Sequence, residues 1–179
     1  MQRRPVTRLH LLLLCGVLAG CGGESSDSRP APATSTTTST AGDADRAEWV
    51  RGADRLCARV AREVVALDVQ ARGEALQKEG LSEPDLMRGL APLFEEQRAA
   101  IERFAKALEG LGPPPRDTER ELIEATREAE RELAAAVSAM REGKSEDAND
   151  SLQRYAALSQ KSAEAAAATG DYSICGSGS

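Results

Sequence analysis

The stretch 90-LAPLFEEQRAAIERFAKALEGL-111 decides how this chain folds. Leu90, Phe94, Gln97, Ile101, Phe104, Leu108 and Leu111 recur in alternating steps of four and three. That spacing keeps side chains on one face of an α-helix and, sustained over several turns, makes a bundle seam. No run of alternating apolar and polar residues competes with it as a half-buried strand. Ser82 and Asp85 form an acidic capping pair at its start, Pro92 removes a backbone donor and is expected to bend the first turns, and Gly112 with Pro113, Pro114 and Pro115 stops it.

The same spacing extends outward in both directions. Downstream, Thr118 and Glu121 read as a capping box before Leu122, Thr126, Ala129, Leu133, Ala136 and Met140, which share one face up to Gly143. Ser145 is the expected N-cap of a last helix, with Glu146 and Asp147 suited to the positive end of its dipole. That helix turns Ala148, Leu152, Tyr155 and Ser159 inward and continues through Ala163 and Ala166 to a stop at Gly170. Upstream, Trp49, Ala53, Leu56, Val60, Val64 and Leu67 predict a helix from Arg46 to Gln70, with Arg51, Asp54, Arg55, Arg59 and Arg62 off its apolar face. A loop of roughly a dozen residues joins it to the quoted helix, and the other connections are short enough to force antiparallel neighbours. The expected class is all-α, an antiparallel up-down four-helix bundle over residues 45–175, with a short tail at 176–179, following a signal peptide and a disordered linker.

The N-terminal part is of another kind. Arg3, Arg4 and Arg8 precede an apolar run from Leu11 to Gly20, a positively charged n-region and a short h-region. The run is about half the 20 or so residues a bilayer-spanning helix needs. It holds two cysteines. Cys15 follows bulky Leu14 and reads as a small hydrophobe of the signal, whereas Cys21 follows Leu18, Ala19 and Gly20. Leu18-Ala19-Gly20-Cys21 resembles the lipobox of bacterial lipoproteins. The resemblance implies removal of residues 1–20, a diacylglyceryl thioether on Cys21 and an acylated amine. Two or more chains suffice as a stable anchor. It places the protein at the cell membrane, held by lipid and facing outside the cytoplasm. Residues 21–44 then form the tether: from Gly22 to Asp43 no large apolar side chain occurs, so the segment cannot offset the entropy of ordering, and its mean reach is on the order of 25 Å.

The full chain carries 23 basic and 29 acidic residues and one histidine. Removing Arg3, Arg4, Arg8 and His10 with the signal leaves 20 basic against 29 acidic, a net charge of -9, and no histidine. Phosphates and anionic headgroups repel such a domain, so nucleic acid is not an expected partner and the lipid does the anchoring. Without histidine there is no general base for Ser-His-Asp or Cys-His catalysis and no Glu-x-x-His pair for a dimetal bundle. No Gly-rich phosphate loop occurs. Glu121, Glu124 and Glu128 share a face but alternate with Arg120, Arg127 and Arg131, the pattern of a solvated surface. The chain is read as non-catalytic, with neither cofactor nor metal.

Cys57 lies about three turns into the first helix and Cys175 five residues past Gly170. An up-down-up-down order puts both at one end of the bundle, where a tail folding back reaches Cys57, and an exported protein sits where disulfides persist. The tether, "WVRGADRLCARV" opening a helical domain, the proline in the second helix and "DYSIC" near the end together resemble small extracytoplasmic proteins of high-GC bacteria. That resemblance implies the fold and the disulfide, and no activity. An arginine to lysine ratio of 19 to 4 agrees with a GC-rich genome.

Gln97 and Thr126 interrupt the seams, and Tyr155 lies where it joins them. They either pair with each other and with backbone carbonyls, fixing register, or they line a small-ligand pocket with Trp49 and Phe94 as its apolar wall. Two functions follow: an interaction module that meets another protein of the cell envelope, and a binding protein for a small apolar or cationic molecule. A cavity lined by Gln97, Thr126 and Tyr155 favours the second, and a solid core with an exposed apolar stripe favours the first.

Overall fold

The computed structural model describes residues 41–175. The signal, Cys21, the tether before residue 41 and the tail at 176–179 lie outside them. Five helices follow in order: α1 (Ala41–Ala66), α2 (Val69–Lys78), α3 (Glu83–Glu109), α4 (Asp117–Glu142) and α5 (Ser145–Thr169). The four long ones make an all-α, antiparallel up-down bundle. The ends fix the directions: Gly52 of α1 lies against Leu111 just past α3, and Glu63 of α1 reaches back to Arg103 of α3. No strand occurs among the described residues, and no helix among them is long and apolar enough to cross a membrane.

The core divides along the bundle axis. At one pole, where α1 starts and α5 ends, Trp49, Val50, Ala53, Leu108, Leu122, Ala166 and Tyr172 pack together. In the other half Leu86, Met87, Leu90, Phe94, Leu133, Val137, Met140 and Leu152 do so. Small side chains on α5, including the fully buried Ala148, let α4 and α5 approach closely.

The first helix departs from its expected limits. It starts at Ala41 and ends at Ala66, because Asp68 takes a left-handed conformation (φ 48°, ψ 46°). Beyond this break α2 occupies most of the expected loop, and its Leu76 lies over Gly89 of α3, where an added Cβ would come within 3.3 Å of Leu76 Cδ1. Gly89 thus lets the short helix sit close. Ser82 caps α3 as expected, accepting from the Asp85 amide, and α3 runs on through Pro92, whose ring is on the exposed face.

Two caps differ from expectation. At α4 the N-cap is Arg116, in extended conformation with no side-chain cap bond, so the helix starts at Asp117 and Thr118 is already inside it. At α5 the N-cap is Lys144, and Ser145 is the first helical residue. Gly143, with φ 71°, turns the chain in one residue, and the Lys144 carbonyl already accepts from the Ala148 amide at 3.1 Å, so the new helix begins at Ser145.

Candidate functional site

The residues expected to line an inner pocket do not converge. Trp49 belongs to the core at the α1 start, and Phe94 to the other half. Gln97 donates to the Tyr155 hydroxyl at 3.0 Å, and the Thr126 hydroxyl donates to the Leu122 carbonyl, one turn back on its own helix, at 2.7 Å. Burial pushes the Tyr155 phenol above its ordinary pKa. These polar groups are therefore engaged inside the seams: the Gln97–Tyr155 bond links α3 to α5, and the Thr126 bond stays within α4.

The pole at the α1 start carries a polar cluster that sequence reading missed. Arg46 and Glu119 are both buried and form an ion pair at 2.8 Å, and Arg46 also pairs with Asp171 just beyond α5. Burial works against the Arg46 charge, but Asp171 and Glu119 outweigh it and hold the guanidinium above its ordinary pKa. The Tyr172 hydroxyl faces Glu119 at 3.4 Å, and burial beside that carboxylate pushes the phenol well above its usual range. One ion-paired centre thus links α1, α4 and the tail.

The tail is fastened twice. Asp54 accepts from the Ser173 amide at 2.9 Å, the Ser173 hydroxyl at 2.6 Å, and the Ile174 and Cys175 amides at 3.1 Å each. One turn further along α1, Cys57 is bonded to Cys175, with Cα atoms 5.5 Å apart. Asp54 and Cys57 therefore hold one strap against one helix face.

Outside this centre, charge is sorted onto two faces. On α1, Arg51, Arg55, Arg59 and Arg62 are all exposed, and none is engaged in a hydrogen bond or ion pair with another described residue. Of the acids of α1, Asp54 is taken by the tail, Glu63 by Arg103 and Asp43 by Arg116, while Asp45 and Glu48 are exposed and pair with no described residue. Arg51, Arg55 and Arg59 stand at i, i+4 spacing, where like charges repel.

The second face is a groove of about 400 Å³ between α4 and α5, floored by Leu122, Ala125, Leu158, Ala165 and Tyr172. Glu121, Glu124 and Glu128 stand exposed along it, with Lys161 on the α5 side. No salt bridge forms at these glutamates: Arg120 pairs with Asp117 and Arg127 with Glu109, and Arg131, three residues past Glu128, is exposed and pairs with no described residue. Among the described residues none of the three glutamates is engaged.

No group of three or more His, Cys, Asp or Glu side chains among the described residues is arranged to hold a metal ion. In the Arg46 centre the Tyr172 hydroxyl lies against Glu119, and the Glu119 and Asp171 carboxylates both face the guanidinium. Compared with known proteins, the chain matches no family model, no curated protein and no solved structure.

Proposed function

We propose that the protein is a non-catalytic helical interaction module of the cell envelope, exported and held to the membrane by lipid on Cys21. The observation that carries this reading is the α1 face of Arg51, Arg55, Arg59 and Arg62. Four adjacent cations without partners weaken the helix that bears them, and an anionic partner surface removes that repulsion. The anchor rests on the sequence: Arg3, Arg4 and Arg8, a short apolar run, and Leu18-Ala19-Gly20-Cys21. The fastened tail supports export, since a disulfide persists outside a reducing cytoplasm. The inner-pocket reading has less support, because Gln97, Thr126 and Tyr155 are bonded within the seams.

Two measurements test the proposal. Cys21→Ser moves the protein from the membrane pellet to the soluble extracytoplasmic fraction. Unchanged retention in the pellet rejects the lipid anchor. Because α1 has no lysine, photo-crosslinking in native membranes from a benzophenone side chain placed at the exposed Glu48, followed by mass spectrometry, recovers conjugates through α1. If that probe gives none while lysines elsewhere on the chain are captured by an amine-reactive reagent, the module reading fails.

A further inference from the structure

We infer that the partner of the α1 arginine face is a second copy of this chain, docked through the groove between its α4 and α5. This rests on the module reading above and names the partner of that same face.

Each chain carries both halves of the contact. Arg55 and Arg59 are four residues apart on α1, as are Glu124 and Glu128 on α4, so both pairs are separated by about 6 Å along their helices. A helix laid along the groove sets the two pairs side by side in a single register. Guanidinium and carboxylate are matched for paired, parallel hydrogen bonds. The groove suits such an occupant: its floor is apolar and partly alanine, so a helix can approach closely, and three carboxylates stand on its α4 rim against the single Lys161 on the α5 rim. None of its lining residues comes from α1, so one chain uses both surfaces at once without self-obstruction.

Repulsion supports the pairing on both sides. Arg51, Arg55 and Arg59 repel along α1, and Glu121, Glu124 and Glu128, at steps of three and four, repel along α4. Docking relieves both together. An anionic bilayer would relieve only the first, and the surplus of acid over base across the chain opposes its approach. Because the two patches differ, the contact is heterologous and extends to a third copy unless the rotation closes a ring. It is rich in exposed charge, hence weak and salt-sensitive in solution, and copies tethered on one membrane meet at a raised effective concentration.

The test is sedimentation of the oxidised full chain in non-ionic detergent at about 0.01 M and about 1 M salt, where the Debye length is about 30 Å and about 3 Å. Self-association at low salt and monomer at high salt are expected. Arg55→Glu with Arg59→Glu, or Glu124→Arg with Glu128→Arg, weakens association roughly tenfold or more. Mixing the two charge-reversed chains restores it, because each then offers the surface the other needs. All four positions are exposed and unengaged among the described residues, so the variants fold, with melting temperatures at or slightly above wild type as like-charge repulsion is relieved, which is checked first. Monomer at low salt overturns the inference, as does association that survives both reversals or a mixture that fails to reassociate. Binding to phosphatidylglycerol vesicles that is lost in the arginine variants, from a chain that stays monomeric, assigns the face to lipid and equally overturns it. A monomeric chain whose α1 still crosslinks to another protein in native membranes leaves the module reading standing. Absence of α1 conjugates removes both.

Discussion

Asp54 receives four hydrogen bonds from three consecutive tail residues. Burial raises the cost of its charge, but the Ser173 hydroxyl and the amides of Ser173, Cys175 and Ile174 outweigh it and hold the carboxyl below the ordinary aspartate pKa. A depressed folded-state pKa adds stability that is complete above the unfolded value and is lost as pH falls through the folded one. Asp54→Asn is therefore expected to lower the unfolding free energy by about 2 kcal/mol at neutral pH. Urea melts at successive pH values should show the gap between variant and wild type closing below about pH 4. Gln97 and Tyr155 behave differently, since neither is charged. Tyr155→Phe leaves the buried Gln97 amide without its acceptor and costs about 1 kcal/mol. Adding Gln97→Leu recovers part of that loss, and a double-mutant cycle in urea reads the coupling. Sequence named Gln97 because it interrupts an apolar seam, and Tyr155 because it lies where it can join Gln97. It gave no sign of Arg46 and Glu119, which are 73 residues apart and sit among other charged residues that stay in solvent.

At the scale of elements, Gly143 and Gly170 offer a paired comparison. Both end a helix in the left-handed region, with φ of 71° and 67°. A Cβ on Gly170 meets nothing within 4 Å, whereas one on Gly143 lies 3.0 Å from Pro84 Cβ, on a ring that cannot swing aside, and 2.8 Å from Arg88 Nη1. Gly170→Ala should cost about 1 kcal/mol from backbone strain alone, and Gly143→Ala distinctly more, measured as the difference in thermal midpoints. The long helices were legible because their buried faces repeat every three or four residues over many turns. The short α2 was not: in VQARGEALQK only Val69 and Leu76 pack against the core, too few to set a period. The break before it was equally hidden, because Asp68 adopts a backbone conformation that its identity does not require. The arginine face was visible as charges off the apolar stripe. What the sequence could not supply was that Asp54 and Glu63, the acids set among them, are occupied elsewhere.

For the whole molecule, the bond between Cys57 and Cys175 closes a loop across 118 positions. In the chain-entropy account that constraint is worth roughly 4 to 5 kcal/mol, a large share of the net stability of a small domain. Cys175→Ser should lower the urea midpoint accordingly, and reductant should do the same to the wild type while leaving the variant unchanged. Combined with Asp54→Asn the losses should fall short of additive, since both substitutions free the same strap. The crosslink also sets how the molecule takes a mechanical pull. Tension applied between the chain ahead of Ala41 and the chain after Cys175 enters along α1 and at Cys57 passes across the sulfurs to Cys175. Only the turns of α1 ahead of Cys57 can then unravel toward the pull, while the 118-position loop stays out of the line of force.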